Sequence, residues 1–215
     1  MQNNKKILLI IEFIIIFFIT PIVIYLFRRE LAFKIVPLVL LMAICCLIYL
    51  KKDENFDKKK LFNTKDIKTH LKRIFLSFII PALLLSAITY FYLNSRFMAF
   101  PQERPVLWLV VMFLYPILAA YPQELIFRTF FFHRYKGLFS NTKIMIFVNA
   151  VCFGIAHSQY SNPVAPVLSG LGGILFAYRY LKSDSLLVVS LEHALWGNFL
   201  FTIGLGWYFY SGAIK

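Results

Sequence analysis

The chain has 215 residues, of which 60% are hydrophobic and only 15% charged, with a formal net charge of +13 and a mean hydropathy of +0.72. Soluble domains run to about 45–50% apolar and about 25% charged residues, so this composition excludes an ordinary soluble domain and points to a polytopic membrane protein. The positive charge is not a nucleic-acid signal. Nine basic residues crowd into Lys51–Arg73 beside an apolar span with no base-reading motif, so no nucleic-acid partner is expected and anionic lipid headgroups are the expected partner of 51–73.

About 20 apolar residues cross a bilayer core as helix. The first such run is Ile7–Phe27, bracketed by Lys5-Lys6 and Arg28-Arg29. It is too long for a signal-peptide core and no small-residue cleavage site follows, so it reads as a retained anchor. Glu12 lies near its start, where snorkelling to the surface is expected. A second span runs from Ile35 to Leu50, and Lys51–Arg73 reads as a loop or surface-lying helix with a solvated His70. A third, Ile74–Leu93, carries Pro81, where a kink is expected. The fourth begins near Val106 and extends to about Tyr135, with kinks expected at Pro116 and Pro122. The fifth is Thr142–His157, the sixth Val164–Leu181, and the seventh Leu186–Ile203. Ser169-Gly170-Leu171-Gly172-Gly173 in the sixth permits close helix approach. Leu205–Tyr210, rich in Trp and Tyr, reads as an interfacial end or short eighth element. The expected fold is all-α, a polytopic transmembrane bundle of seven to eight helices. Its expected regions are an N-terminal two-helix part with a basic loop, 1–73, and a core, 74–215. Cys45, Cys46 and Cys152 lie in apolar runs without metal-ligand spacing and read as buried small thiols rather than a disulfide framework.

Polar groups at membrane depth are rare because each charge costs at least about 2.5–3.5 kcal/mol on insertion scales. Glu124 and Arg128 stand four residues apart in an apolar setting, a spacing that lets them pair on a helix. His157 follows Phe153-Gly154-Ile155-Ala156, and Glu192-His193 lies inside the seventh span. A carboxylate and an imidazole together hold and deprotonate a water, while a second imidazole and an amide donate to a developing oxyanion. That set suits amide hydrolysis without a covalent intermediate. Glu124, His157 and His193 could alternatively ligate zinc, although the His-Glu-x-x-His signature is absent. Direct water activation without a cofactor ranks above zinc. Buried Glu, His and Arg also build proton relays in transporters, but no inverted repeat accompanies them.

At these residues the chain resembles the CAAX protease and bacteriocin-processing intramembrane proteases, the CPBP or Abi family, over about Val106–Tyr210. The family's Glu-Glu-x-x-x-Arg motif reads Gln123-Glu124-Leu125-Ile126-Phe127-Arg128 here. Its Phe-x-x-x-His reads Phe153-Gly154-Ile155-Ala156-His157. Its His followed by Asn or Asp four residues on reads His193-Ala194-Leu195-Trp196-Gly197-Asn198. The resemblance implies an intramembrane endopeptidase acting on a membrane-associated or lipidated peptide or protein in the bacterial plasma membrane. It implies Glu124, His157, His193 and Asn198 as catalytic residues, supported by Gln123, Arg128, Phe153 and Glu192. Two departures stand out. Gln123 replaces the family's first Glu, leaving Glu124 as the expected base, and Asn198 lies five residues after His193, so that a helix irregularity at Gly197 is expected. The alternative is a catalytically silent relative serving as a membrane scaffold or bacteriocin-immunity protein.

With the N-terminus inside, sixteen basic residues flank the spans on the cytoplasmic side and five on the outer side. Positive charge favours the cytoplasmic face, so Lys51–Arg73 is predicted to be cytoplasmic. Single cysteines placed in that loop should resist an impermeant thiol reagent in intact cells and react after permeabilisation. Efficient labelling in intact cells would reverse the topology.

Overall fold

A computed structural model describes residues 2–210, with side chains from residue 4. The last five residues of the 74–215 region lie outside the described residues. Among the described residues the fold is helical throughout, without strands. Six helices are long and apolar enough to cross a membrane: α1 (Asn4–Leu26), α2 (Ile35–Lys52), α3 (Ile67–Tyr92), α4 (Pro105–Arg134), α6 (Val164–Ser183) and α7 (Leu186–Ile203). Between α4 and α6 lies α5 (Thr142–Ala156), 15 residues long. The seven match the spans expected from hydropathy, and Leu205–Phe209 forms the expected short terminal piece as a 3-10 turn.

Local sequence explains where these helices start and stop. Asn141 caps α5 by accepting from Lys143 N at 2.7 Å, and Ser185 caps α7 by accepting from Val188 N at 3.2 Å, each satisfying an N-terminal donor left over by the helix. Gly204 ends α7 with φ 99°, a conformation only glycine adopts freely. It also lets the Arg96 carbonyl press against the chain, where a Cβ would collide. The predicted proline kinks in α4 take a specific form. The helix widens into π turns at Pro116–Ala120 and Leu125–Phe130, flanking the short α-helical stretch Tyr121–Glu124. α3 runs on through Pro81.

The tightest helix pair is α5 against α6, and small residues make it so. A Cβ on Gly173 would lie 2.9 Å from Ala150 Cα, and one on Gly154 would lie 2.9 Å from the Pro166 carbonyl oxygen. Backbones that close gain van der Waals packing, which drives helix association where apolar lipid tails remove the hydrophobic force between helices. α7 packs on α6, α4 and α3, so it sits at the centre.

Three expectations are corrected. Glu12 does not snorkel: Arg134 at the end of α4 donates to both its oxygens, at 3.0 and 2.7 Å, and Tyr135 donates to Oε1 at 2.9 Å. A carboxylate part-way into an apolar span is better stabilised by a guanidinium fork than by reaching for water. His70 is buried rather than solvated, because α3 starts at Ile67 and carries it into the bundle. Cys45 is exposed, whereas Cys46 and Cys152 are buried.

Gly173 yields a stability prediction. Gly173→Val should destabilise the folded protein by about 1–3 kcal/mol, the usual penalty for overpacking. Gly137→Ala, where the added Cβ meets nothing within 4 Å, should leave the melt unchanged. Thermal unfolding in detergent compares the two. Equal melting temperatures would refute the packing role of Gly173.

Candidate active site

The site grows from Arg128, a guanidinium with no exposed surface. It sits in the π turn of α4, one turn after Glu124, which is also fully buried. Arg128 Nε lies 3.1 Å from Glu124 Oε2, within ion-pair distance but off a hydrogen-bond angle. Its Nη1 donates to Asn149 Oδ1 on α5 at 2.9 Å, and Asn149 Nδ2 donates back to the Phe127 carbonyl at 2.6 Å. Its plane lies over Phe153, with Cζ 4.7 Å from the ring centroid. A buried charge needs such a shell: a counter-ion, a polar partner and an aromatic face together offset its lost hydration.

Glu124 spends its other oxygen on His193. The His193 Nδ1 to Glu124 Oε1 distance is 2.8 Å, and His193 Nε2 lies 3.0 Å from the Tyr115 hydroxyl. An ionised carboxylate only accepts, so Nδ1 carries the proton toward Glu124. In the neutral ring Nε2 then accepts from Tyr115. Phe176 stacks on the imidazole at 4.7 Å between centroids and 21° between planes. Arg128, Glu124, His193 and Tyr115 thus form one continuous polar chain across α4 and α7.

His157 stands at the end of α5. Its Nδ1–H donates to the Phe153 carbonyl at 2.7 Å, which leaves Nε2 as the lone-pair nitrogen. Phe153 touches both imidazoles, at 4.7 Å from the ring centroid of His157 and 5.6 Å from that of His193. Simple span counting puts Glu124 and His157 in opposite halves of the bilayer, yet helix lengths bring them close to level. At 1.5 Å per residue, and measured from the joined ends of α4 and α5, Glu124 lies about 15 Å in and Phe153 about 16 Å. His157 lies only about one turn further.

The remaining sequence-predicted residues fall as follows. Glu192 receives two hydrogen bonds from Arg179 on α6, at 2.8 and 3.0 Å. Asn198 Nδ2 donates to the Met112 carbonyl on α4 at 3.0 Å, while its Oδ1 is buried without a partner. Gln123 Oε1 is likewise buried and unpartnered. α7 runs as unbroken α-helix through Gly197, so the irregularity expected there is absent; a close-packed neighbour, Tyr115, fills the space instead. Sequence reasoning missed Tyr115, Asn149 and Arg179. An intramembrane Arg179 about one turn before the helix end was a usable signal; an Asn in α5 was a weaker one. As placed, the residues make no metal cage. Among the described residues no group of three or more His, Cys, Asp or Glu stands close enough to share an ion, and Glu124 already faces an imidazole N–H and a guanidinium.

Arg128→Ala leaves Glu124 buried without its counter-ion, which costs about 3–5 kcal/mol in comparable buried pairs. Arg128→Ala combined with Glu124→Gln should recover part of that loss. Melts of the two single variants and the double variant measure the coupling, and strict additivity would show that the pair does not interact.

No curated protein and no solved structure matches this chain. Residues 105–200, the stretch that holds α4 to α7 and every side chain of the polar chain just described, match the family model described as type II CAAX prenyl endopeptidase Rce1-like. Over that segment, somewhat under half of the chain, the protein is similar to the Rce1-like type II CAAX prenyl endopeptidase family.

Proposed function

We propose that the protein is an intramembrane endopeptidase that hydrolyses a peptide bond of a membrane-associated or lipidated substrate with a water activated by side chains alone. The observation that carries this reading is the pairing of a fixed relay, Arg128–Glu124–His193, with a second imidazole, His157, whose Nε2 is free. The roles follow from the hydrogen bonds. Glu124 gives Oε1 to His193 and keeps Oε2 at ion-pair distance from Arg128, so it orients His193 and supplies negative charge. His157 Nε2 takes the proton of the attacking water. The unpartnered Gln123 Oε1 accepts that water's second hydrogen. The second amide hydrogen of Asn198, beside the one given to the Met112 carbonyl, is the donor for the developing oxyanion, while His193 is held between Glu124 and Tyr115. The N-terminus and the basic stretch 51–73 face the cytoplasm, with the lysines on anionic headgroups.

The substrate reaches this site from the bilayer. A cleft of about 530 Å³ opens on the flank of the bundle between the end of α1, at Pro21 and Tyr25, and the residues just after His157, Ser158 and Asn162. An extended peptide lying there arrives beside the base. One observation favours a second reading, a silent relative acting as a scaffold: the residue at 123 is an amide that cannot take a proton.

The test uses purified protein in liposomes and a fluorogenic farnesylated C-terminal peptide, with its unprenylated counterpart as comparison. His157→Ala should reduce cleavage by about 10²–10⁴-fold, the usual cost of removing a general base. Glu124→Gln should also cut activity, because His193 loses its anchor. Gln123→Glu should preserve or raise it. A His157→Ala protein that cleaves as fast as wild type would remove the base assignment. A wild type that is inert while Gln123→Glu cleaves would establish the silent relative.

A further inference from the structure

Tyr115 lies in an apolar stretch, Met112-Phe113-Leu114-Tyr115-Pro116, and nothing in its sequence marks it out. It ends the first α-helical part of α4, immediately before the π turn Pro116–Ala120. Its ring meets His193 edge-on, at 6.0 Å between centroids and 76° between planes, and packs on Phe201 at 5.5 Å. Its hydroxyl reaches His193 Nε2 at 3.0 Å.

The ring occupies the place of a missing side chain. A Cβ built on Gly197 would collide with Tyr115 Cε1, Cζ and the hydroxyl oxygen. Residues 193 and 197 are one turn apart on the same face of α7. Any side chain at 197 would therefore compete with the phenol for the space beside the imidazole.

We infer that Tyr115 is a positioning residue of the proposed hydrolytic site, holding Nε2 of His193 from the vacancy that Gly197 leaves. The assignment rests on the endopeptidase reading for its purpose, but not for its test. With Nδ1–H on Glu124 and Nε2 on Tyr115, both nitrogens of His193 are held from opposite sides, so the ring cannot turn without breaking a buried hydrogen bond. Tyr115 and Gly197 act as one device: the glycine has no function without the phenol, and the phenol has no room without the glycine.

The experiment is nitrogen NMR of [15N]histidine-labelled protein in detergent micelles, with His193 assigned by the loss of its signals in His193→Gln. Wild type should show His193 protonated at Nδ1, with an Nε2 resonance shifted by an accepted hydrogen bond. Tyr115→Phe should move the Nε2 resonance toward its unbonded position and leave the signals of His70 and His133 in place. Gly197→Ala should give the same change by displacing the ring. Tyr115→Ala combined with Gly197→Asn should restore a bonded Nε2, because an amide at 197 then reaches the imidazole through the emptied space. Should the liposome assay detect turnover of the farnesylated peptide, Tyr115→Phe should lower kcat and kcat/KM together with KM unchanged. An unmoved Nε2 resonance in Tyr115→Phe overturns the inference whether or not the peptide is cleaved, and so does a change that spreads to all four histidines, which would mark Tyr115 as a packing residue. Absence of turnover with the Nε2 shift intact would count against the endopeptidase reading and leave the Tyr115–His193 bond standing.

Discussion

Arg128 is the constraint around which the core is arranged. A guanidinium with no exposed surface, placed in a membrane bundle, has to find all its partners within the protein. It takes them from three helices: Glu124 on its own helix, Asn149 and Phe153 on α5, and the more distant face of Phe176 on α6, 5.8 Å away. Glu124 then extends the set to α7 through His193. The geometry of four helices is therefore bound to one charge, and the π turn that contains Arg128 is part of the same solution. A π turn carries more residues per turn than an α turn and so places side chains at a smaller angular step, which re-aims residues and is found frequently at functional sites.

The same rule recurs at two other buried or half-buried carboxylates. Glu192 on α7 is clasped by Arg179 on α6, and Glu12 on α1 by Arg134 at the end of α4. Each arginine offers a planar fork that fits two carboxylate oxygens, which fixes direction as well as distance. Without a hydrophobic force to bring helices together in lipid, such directed contacts and close small-residue packing, as at Gly173 against Ala150, select one arrangement of helices among many. Glu12–Arg134 matters in a particular way. It joins α1, which lies outside the segment matched to the family, to the helix that carries Glu124 and Arg128.

The spans and the Glu124–Arg128 pair were legible in the sequence because they rest on local rules: length of apolar runs, and i,i+4 spacing. The three motifs located Glu124, His157 and His193 because chemistry-bearing residues are rare in an apolar chain and therefore conspicuous. What stayed hidden depends on which helix faces which. Glu12 carries no mark that its partner lies 122 residues away at Arg134. Asn149 looks like any polar residue in a helix until Arg128 is seen to need it. Tyr115 looks like one aromatic among many. His70 was misjudged because a basic stretch suggests solvent, whereas the helix boundary decides its burial. The Gly197 irregularity failed for a related reason: a glycine after a histidine suggested a local backbone change, and the space it leaves is filled from another helix.

The hydrogen bonds separate what folds the site from what would make it react. Glu124 and Arg128 together organise α4, α5 and α7, so a relative that had lost catalysis would still keep them for stability. Gln123 and His157 have the opposite character. Gln123 Oε1 has no partner and His157 Nε2 is not needed by the fold, so selection for stability alone gives no reason to keep either. A second carboxylate at 123, next to Glu124, would add like charge to a buried site, which raises the proton affinity of one member of such a pair. An amide at 123 removes that repulsion and leaves Glu124 committed to His193 and Arg128. In the proposed reading the proton-accepting role falls to His157, whose Nδ1 is spent on the Phe153 carbonyl and whose Nε2 is left to accept. Under the proposed reading, cleavage calls on Gln123 and His157, while Glu124 and Arg128 serve the fold and the site together.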